Sequence, residues 1–281
     1  MGSYGCPRGR PMPLMQSVVV GIDFSPASVS ALAHAARLAT AAGARLHAVH
    51  ALGGAVAGDP GLPGRWEQFR RPVAGAAGVA LEVLAGPGHS VLEDAIRRHG
   101  ADLLVLGARG EGGAHVGLGT LASRCIRSLP VDVLVVRDDR AGTFRTVAAG
   151  IDFSEASRRA LAWAEYIARR DAARLYAVHV VPALDGSRET QARLAAEFGP
   201  ALDEFVAGTV PAEGIGVRRE VFPYTGHRSG LIEFCAVVDA DLLVIGTRGR
   251  GNLREALLGS TAEKALEHST CAVLAVKPPT G

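Results

Sequence analysis

Residues 240–261, ADLLVIGTRGRGNLREALLGST, decide how the fold is read. The apolar run at 242–245 predicts a buried strand that ends at Gly246. Gly249 follows, and after nine more residues comes the pair Gly259-Ser260. A strand, a glycine-rich loop and a helix start in this order present backbone N–H groups to an anion. Glycine suits such a loop because a Cβ would keep a phosphate at a distance or demand a strained φ.

An earlier copy of this stretch stands at residues 101–120, ADLLVLGARGEGGAHVGLGT. The quintet GIDFS also occurs twice, starting at Gly21 and at Gly150, 129 residues apart. Asp102 and Asp241 are 139 residues apart, so the second half has gained ten residues between these points. Alternating β-branched runs and amphipathic segments predict β-α-β-α-β-α-β-α-β in each copy. The chain is therefore predicted to hold two doubly wound, Rossmann-like α/β domains.

The predicted domains are 17–137 and 146–277, after a disordered arm at 1–16 and joined by a linker at 138–145. The two crossovers between the second and third strands differ. Prolines and glycines fill residues 51–78, and only 65–70 could form a helix there. The second crossover instead predicts a full amphipathic helix through Leu194, Phe198, Leu202 and Phe205.

Composition narrows the class of protein. The 281 residues carry a formal net charge of +2, without the basic stripe that nucleic-acid binding requires. No apolar run is long enough to span a membrane, and residues 1–16 lack the apolar core of a signal peptide. The four cysteines show no CxxC spacing and are expected to be free thiols. These features predict a cytoplasmic protein without nucleic-acid or membrane partners, and no metal site is expected.

Together the glycine motif, the ADLLVIG strand and the GIDFS element resemble the universal stress protein family in its tandem form. The phosphate motif of that family is G-x2-G-x9-G-(S/T), and the second copy matches it in full. The resemblance covers about residues 17–277 and implies a five-stranded parallel sheet per domain, in the order 3-2-1-4-5. Such folds are related to those of adenine-nucleotide α-hydrolases. It also implies that the last strands of the two domains pair within the chain.

The resemblance further implies ATP as the ligand, with Mg²⁺ as a companion of its phosphates. Asp152 would meet the adenosine end, and Val180, just after the second strand, would contact adenine through its backbone. Ribose and phosphates would lie in a cradle formed by the remaining residues of the second motif, which are Gly246, Arg248, Gly249, Gly259, Ser260 and Thr261.

The first copy departs from the motif. Eight residues instead of nine separate Gly110 from Gly119, and we expect this deletion to shift every later N–H. Glu111 stands where the second copy has Arg250, and Ala51 follows His50 where Val180 follows His179. The matching residues are therefore expected to bind ATP weakly or not at all; they are Asp23, Gly107, Gly110, Gly119 and Thr120.

Structural alternatives exist for several of these residues. Either glycine loop could be a tight strand-to-helix turn. Ser260 with Glu263 fits a capping box, and Asp152 could cap a helix together with Ser154. Arg248 could contact phosphate or solvent. His50 and His179 each end a strand, and we favour a structural role for both.

The sequence contains none of the GxSxG, GxxxxGK[ST] or HExxH motifs, so no catalytic residue is assigned. We expect a regulatory protein that binds ATP. Two alternatives remain: a scaffold that binds no nucleotide, and a slow ATPase or self-phosphorylating protein with Ser260 or Thr261 as the acceptor. Both a monomer with intrachain domain pairing and a homodimer of such chains are compatible with the sequence.

Overall fold

The computed structural model describes residues 15–53, 59–108, 119–137, 142–211, 213–225, 230–248 and 259–279. The first half contains β1 (Ser17–Gly21), α1 (Pro26–Ala42), β2 (Arg45–Ala51), α2 (Leu62–Arg70), β3 (Leu81–Leu84), α3 (Gly88–His99), β4 (Leu103–Gly107), α4 (Thr120–Ser128) and β5 (Asp132–Val136). The second half contains β6 (Thr146–Gly150), α5 (Glu155–Asp171), β7 (Arg174–Pro182), α6 (Arg188–Ala207), β8 (Val217–Tyr224), α7 (Gly230–Val237), β9 (Leu242–Gly246), α8 (Ser260–His268) and β10 (Ala272–Val276).

The strands form one ten-stranded sheet in the order β3-β2-β1-β4-β5-β10-β9-β6-β7-β8. Within each half all neighbouring strands are parallel and follow the implied order 3-2-1-4-5. The halves join through β5 and β10, which pair antiparallel with Leu134 opposite Leu274. The implied pairing of the last strands is confirmed, and the two halves are related by a pseudo-twofold axis at this leucine pair.

Helices cover both faces of the sheet, as expected for a parallel sheet. One apolar core lies under α1, α2, α5 and α6, and the other lies under α3, α4, α7 and α8. Each core contains residues from both halves, so the hydrophobic layers run continuously across the junction.

The first helix of each half begins where the sequence predicts. The side chains of Ser25 and Ser154 cap α1 and α5 by accepting from the backbone N–H three residues later. Pro26 occupies the first turn of α1, and Gly43 ends that helix with φ 65°. Helix α2 starts at Leu62, earlier than predicted, because Pro63 falls in the first turn, where its missing N–H costs nothing. Helix α2 has nine residues, whereas α6, the corresponding helix of the second half, has twenty.

A buried charged network lies at the junction of the halves. Asp132, at the start of β5, accepts from Trp163 Nε1 at 2.8 Å, from Arg159 Nη2 at 3.1 Å and from the Lys277 backbone N–H at 2.7 Å. Burial raises the pKa of Asp132, while the charge of Arg159 acts in the opposite direction. The pseudo-twofold counterpart of Asp132 is Ala272, so this network exists once in the molecule.

The residue after each last strand reaches across the junction. Arg137 donates to the Ser269 and Cys271 carbonyls at the end of α8, and Lys277 donates to the Ile126 carbonyl in α4. A cation at the C-terminus of a helix satisfies carbonyls that lack an intrahelical partner and interacts favourably with the helix dipole. These reciprocal contacts hold each half's last helix against the other half.

Two segments outside the predicted domains are packed. Met15 is buried, and the N–H groups of Gln16 and Ser17 donate to Asp102. Phe144, which the sequence places in the linker, is 1% exposed and stacks on His34 of α1 at 4.5 Å. Residues 1–14 of the predicted arm and residues 138–141 of the linker lie outside the described residues.

Within the described part of the chain, no helix combines the length and apolar character that a membrane span needs. Cys125, Cys235 and Cys271 are buried and free, which agrees with the prediction for these three residues. Burial raises the pKa of Cys125 to about 12.

Candidate functional site

The candidate sites lie at the carboxyl edge of each half, between the first and fourth strands, where the strand order reverses. There β6 runs into the turn containing Asp152, and β9 ends at Gly246 beside it. The corresponding edge of the first half brings together Asp23 and Gly107. Gly249 and Gly110 lie outside the described residues.

In the second half, Gly259 is the N-cap of α8 and Ser260 is its first helical residue. The capping-box interpretation of Ser260 is therefore wrong, because the helix starts one residue earlier than a Ser260 cap requires. Glycine has no side chain to satisfy the first N–H groups of α8, so these donors can take an anion. The Gly259 N–H donates to the Thr247 carbonyl at 2.9 Å and closes the glycine loop at its base.

The first half closes its loop in the same way. The Gly119 N–H donates to the Ala108 carbonyl at 2.8 Å, and Gly119 caps α4 with backbone angles close to those of Gly259. The expectation that the deletion shifts every later N–H is therefore wrong at the helix start, since both helices begin at equivalent points. The difference in length is confined to residues 109–118, outside the described part.

The glycines of the motif have different reasons to be glycine. A Cβ at Gly246 would lie 2.8 Å from the Ala156 Cβ, and one at Gly107 would lie 2.8 Å from the Ala27 Cβ. Glycine is required at both positions because the end of β9 packs closely against the start of α5, and the end of β4 against the start of α1. At Gly259 the nearest described atom to a Cβ would be the Thr247 carbonyl oxygen at 3.5 Å, with φ −63°. Glycine is therefore required at this position neither by the backbone conformation nor by contacts with the described residues.

Asp152 belongs to a tight turn that starts α5. Its Oδ1 accepts from the Ser154 N–H at 3.0 Å and from the Ser154 hydroxyl at 2.5 Å. Phe153, between them, has φ 62°, an unfavourable value for a bulky residue that fixes the direction of the turn. No described residue donates to Oδ2 of Asp152. The capping alternative for Asp152 is therefore confirmed for Oδ1.

Val180 lies within β7, which runs to Pro182, and not after the strand as expected. The Ile151 N–H donates to the Val178 carbonyl at 2.8 Å, so Val178 directs its backbone groups toward β6. Backbone direction alternates along a strand, and Val180 therefore directs its N–H and C=O to the same side. Strand β6 has already ended at Gly150, so these two groups face the Asp152 turn.

His50 and His179 do not end their strands as expected, since β2 continues to Ala51 and β7 to Pro182, but both have the structural role favoured from sequence. Nδ1 of His179 lies 2.8 Å from the Ile151 carbonyl, and Nδ1 of His50 lies 2.7 Å from the Ile22 carbonyl. A carbonyl only accepts, so Nδ1 carries the proton in each ring. The rings also pack on Phe153 and Phe24 and support the strained turns.

Two charged residues near α8, Arg127 and Lys277, were not singled out from the sequence. Glu263, in the first turn of α8, forms an ion pair with Arg127 of α4. This contact reduces the repulsion that Glu263 would exert on an anion at the helix start. Arg248 is half-buried and close to Lys277; burial and then the charge of Arg248 lower the pKa of Lys277 to about 8.

Tyr224 is a second residue that the sequence did not reveal. A Cβ on Gly230 would lie 2.5 Å from Val180 Cγ1 and 2.9 Å from Tyr224 Cγ, so both side chains converge on that glycine. No motif marks this tyrosine; the pairing of β7 with β8 places it opposite Pro182, two residues beyond Val180.

A cavity of about 480 Å³ lies elsewhere, between α2 and β3. Its walls are mainly apolar, and the Arg70 guanidinium beside it donates to the carbonyls of Ala76 and Ala77. Among the described residues no group of three or more His, Cys, Asp or Glu side chains could hold a metal ion.

A family model described as the universal stress protein family matches residues 15–137 and 143–277. A universal stress protein of Mycobacterium tuberculosis H37Rv is 30% identical over 295 residues, covering 92% of this chain and 96% of its own. The solved structure of a protein of unknown function from Pseudomonas aeruginosa is similar, with a TM-score of 0.70 and 18% sequence identity. The match covers 94% of this chain and 93% of that one. The solved structure of a universal stress protein from Archaeoglobus fulgidus is also similar, with a TM-score of 0.61 and 21% sequence identity. The match covers 94% of this chain and 98% of that one.

Proposed function

Because the chain belongs to the universal stress protein family and contains two such domains, we propose that it is a stress-response protein that binds ATP in its second half. The start of α8 is the observation that carries this proposal. Gly259 caps the helix without a side chain, so the first N–H groups of α8 are open to phosphate. The complete glycine motif that precedes them supports the same assignment.

The proposal assigns the remaining contacts to the residues carried over from the family motif. Oδ2 of Asp152 accepts from a ribose hydroxyl, and the Val180 backbone meets the edge of the adenine base. Mg²⁺ supplies the charge balance that lets a triphosphate lie near the Asp152 carboxylate. Thr261 and the loop residues Gly246, Arg248 and Gly249 complete the cradle for ribose and phosphates, and Ser260 lies at its helical end.

The proposed role of ATP is regulatory. A ligand shifts an equilibrium between two states when it binds one of them better. Helix α8 is connected to the first half through Arg127 and Arg137, so ATP at its start can favour one arrangement of the junction. The protein is cytoplasmic in this proposal, and its output is an altered surface or assembly.

The test is a calorimetric titration of MgATP into protein stripped of carried-over nucleotide. We expect about one site per chain, abolished by Gly259→Asp and retained in the matched variant Gly119→Asp. Aspartate is a favourable N-cap, so both variants should keep their helices while placing a carboxylate at the helix start. Absence of binding by calorimetry and by a second probe would reject the proposal and favour the nucleotide-free scaffold.

A further inference from the structure

Two histidines stack face to face at the outer edge of the first half. The rings of His47 in β2 and His99 at the end of α3 have centroids 3.7 Å apart and an interplanar angle of 15°. Nε2 of His99 lies 2.8 Å from Oε2 of Glu82 in β3, and Arg98 of α3 pairs with the same carboxylate. We call these four side chains the histidine latch, because they connect α3 to the two outermost strands of the first half.

Strand β3 has little else to hold it in the sheet. It is an edge strand that pairs with β2 over four residues, Leu81–Leu84, of which three are half-buried and one is exposed. On its α2 side lies the cavity of about 480 Å³. Segments with few buried contacts open at a low free-energy cost. The contacts that Glu82 makes with α3 therefore matter for keeping β3 in place.

The charges around the stacked rings favour one proton over two. His47 faces His99 of α3, Arg45 of its own strand and Glu82 of β3, while the neighbouring strand β1, SVVVG, has no charged side chain. Burial lowers the pKa of His47 most, the charges of His99 and Arg45 lower it further, and Glu82 acts in the opposite direction. Nε2 of His47 is buried without a described hydrogen-bond partner, whereas His99 contacts the carboxylate directly. The geometry thus stabilises a positive charge on His99 and disfavours one on His47.

A second proton on the pair would place two positive rings 3.7 Å apart. Like charges at this spacing repel, and partial burial weakens the screening by solvent. An opened chain protonates His47 at its ordinary pKa of 6.5, whereas the closed chain does so only at lower pH. The stability that neutral His47 contributes is therefore complete above pH 6.5 and declines as the pH falls toward the lowered pKa of the closed state.

The second half does not repeat the latch. Strand pairing places Glu220 where the first half has Glu82, so the carboxylate is present in both halves. Tyr176 stands in place of His47, and Val238 stands in place of His99. Neither replacement takes up a proton near pH 6, so the effect is expected in the first half alone.

We infer that the histidine latch is an acid-sensitive switch: neutral His47 stacks on His99 and keeps α3 on the edge strands, and protonation of both rings separates them and releases β3. The first proton, on His99, strengthens its pair with Glu82, and release begins when His47 is protonated as well. The inference does not depend on the ATP proposal, because none of the four side chains is among the proposed ATP-binding residues.

The experiment follows the histidine rings by NMR and the backbone amides by hydrogen exchange from about pH 8 to about pH 5, with the full chain. Exchange rates are corrected for their intrinsic dependence on pH. In the wild type we expect protection of the β3 amides to fall about three- to tenfold across the titration of His47. The amides of β8, the corresponding edge strand of the second half, should keep their protection.

Three variants separate the contributions. His47→Phe keeps a ring that can stack but takes no proton, so the protection of β3 should no longer fall in acid. His99→Phe removes the facing charge and should move the pKa of His47 up, toward its ordinary value. His268→Gln is the control, because it removes a histidine of α8 whose side chain is 58% exposed, and it should behave like the wild type.

Two results would overturn the switch. An acid-dependent loss of β3 protection that persists in His47→Phe would mean that another group titrates. An unchanged pKa of His47 in His99→Phe would mean that the two rings are not coupled and that burial alone lowers this pKa. The second measurement uses a different variant, so the inference stays testable even where His47→Phe does not fold. Equal losses in β3 and β8 would also contradict it, because the whole sheet would then open together.

Discussion

The two carboxyl edges of the sheet share a backbone and differ in the side chains around it. Both edges have an Asp-Phe-Ser turn with the phenylalanine at positive φ, a histidine bonded to a carbonyl, and a glycine N–H that closes the loop. The second edge alone has Val180 and Tyr224, where the first has Ala51 and Gly86. Scaffold geometry can therefore persist in both copies while the side chains around it differ.

The junction between the halves also combines a symmetric backbone with different side chains. Its backbone is symmetric about Leu134 and Leu274, but Asp132 faces Arg159 and Trp163 on one side and Ala272 is its counterpart on the other. The strand pairing needs only backbone groups, so the side chains were free to diverge. Some of the following experiments test whether a feature present in both halves has the same effect in each. The others test whether a feature present in one half matters only there.

The largest expected effect is at the junction. Asp132→Ala leaves Arg159 without its carboxylate partner and should lower the free energy of unfolding by about 3–5 kcal/mol. Denaturant titration measures this change. The double variant Asp132→Ala/Arg159→Ala removes both charges and should cost less than the sum of the single changes. Strict additivity would show that the pair does not act as a unit.

Packing glycines should behave alike in both halves. Gly107→Ala and Gly246→Ala each place a Cβ against the start of a helix and should cost about 1–3 kcal/mol. Gly119→Ser is the control, because serine is a good N-cap; it should change stability by less than about 0.5 kcal/mol. A neutral Gly246→Ala would indicate that this glycine is there for a ligand and not for packing.

The helix caps should also be equivalent, in contrast to the aspartates beside them. Ser25→Ala and Ser154→Ala should each cost about 1 kcal/mol in unfolding experiments, since each removes one cap. Asp152→Asn should additionally weaken MgATP binding, and Asp23→Asn should not. Loss of ATP affinity in Asp23→Asn would show that the first edge also contributes a site.

The smallest expected effect concerns the ion pair between the halves. Arg127→Ala should weaken MgATP binding about two- to threefold at low salt, because an exposed pair is worth at most about 1 kcal/mol. Added salt should reduce the difference by screening. Glu263→Gln should have the opposite effect and strengthen MgATP binding. Unchanged affinity in both variants would mean that the charge of Glu263 does not reach the anion.

Much of the fold could be predicted because it is encoded locally and twice. Periodic apolar runs mark the strands and helices, Ser25 and Ser154 mark helix starts, and the repeated quintet aligns the halves. Errors arose where local signals compete. Pro63 indicates a helix break, but proline is tolerated in the first turn of a helix. Ser260 is a typical N-cap residue, but Gly259, just before it, is the N-cap of α8. The candidate site residues were identified by the glycine spacing together with the family resemblance, and their roles in binding remain predictions.

By itself, the sequence determined the element order, the duplication and the glycine motif, because each depends on neighbours along the chain. The tertiary structure alone decided that Val180 turns its backbone toward the Asp152 turn, that Arg127 meets Glu263, and that Asp132 meets Trp163. It also brought the side chains of Tyr224 and Val180 together at Gly230. Such contacts join residues far apart in the chain, and strand register and helix packing fix their distances.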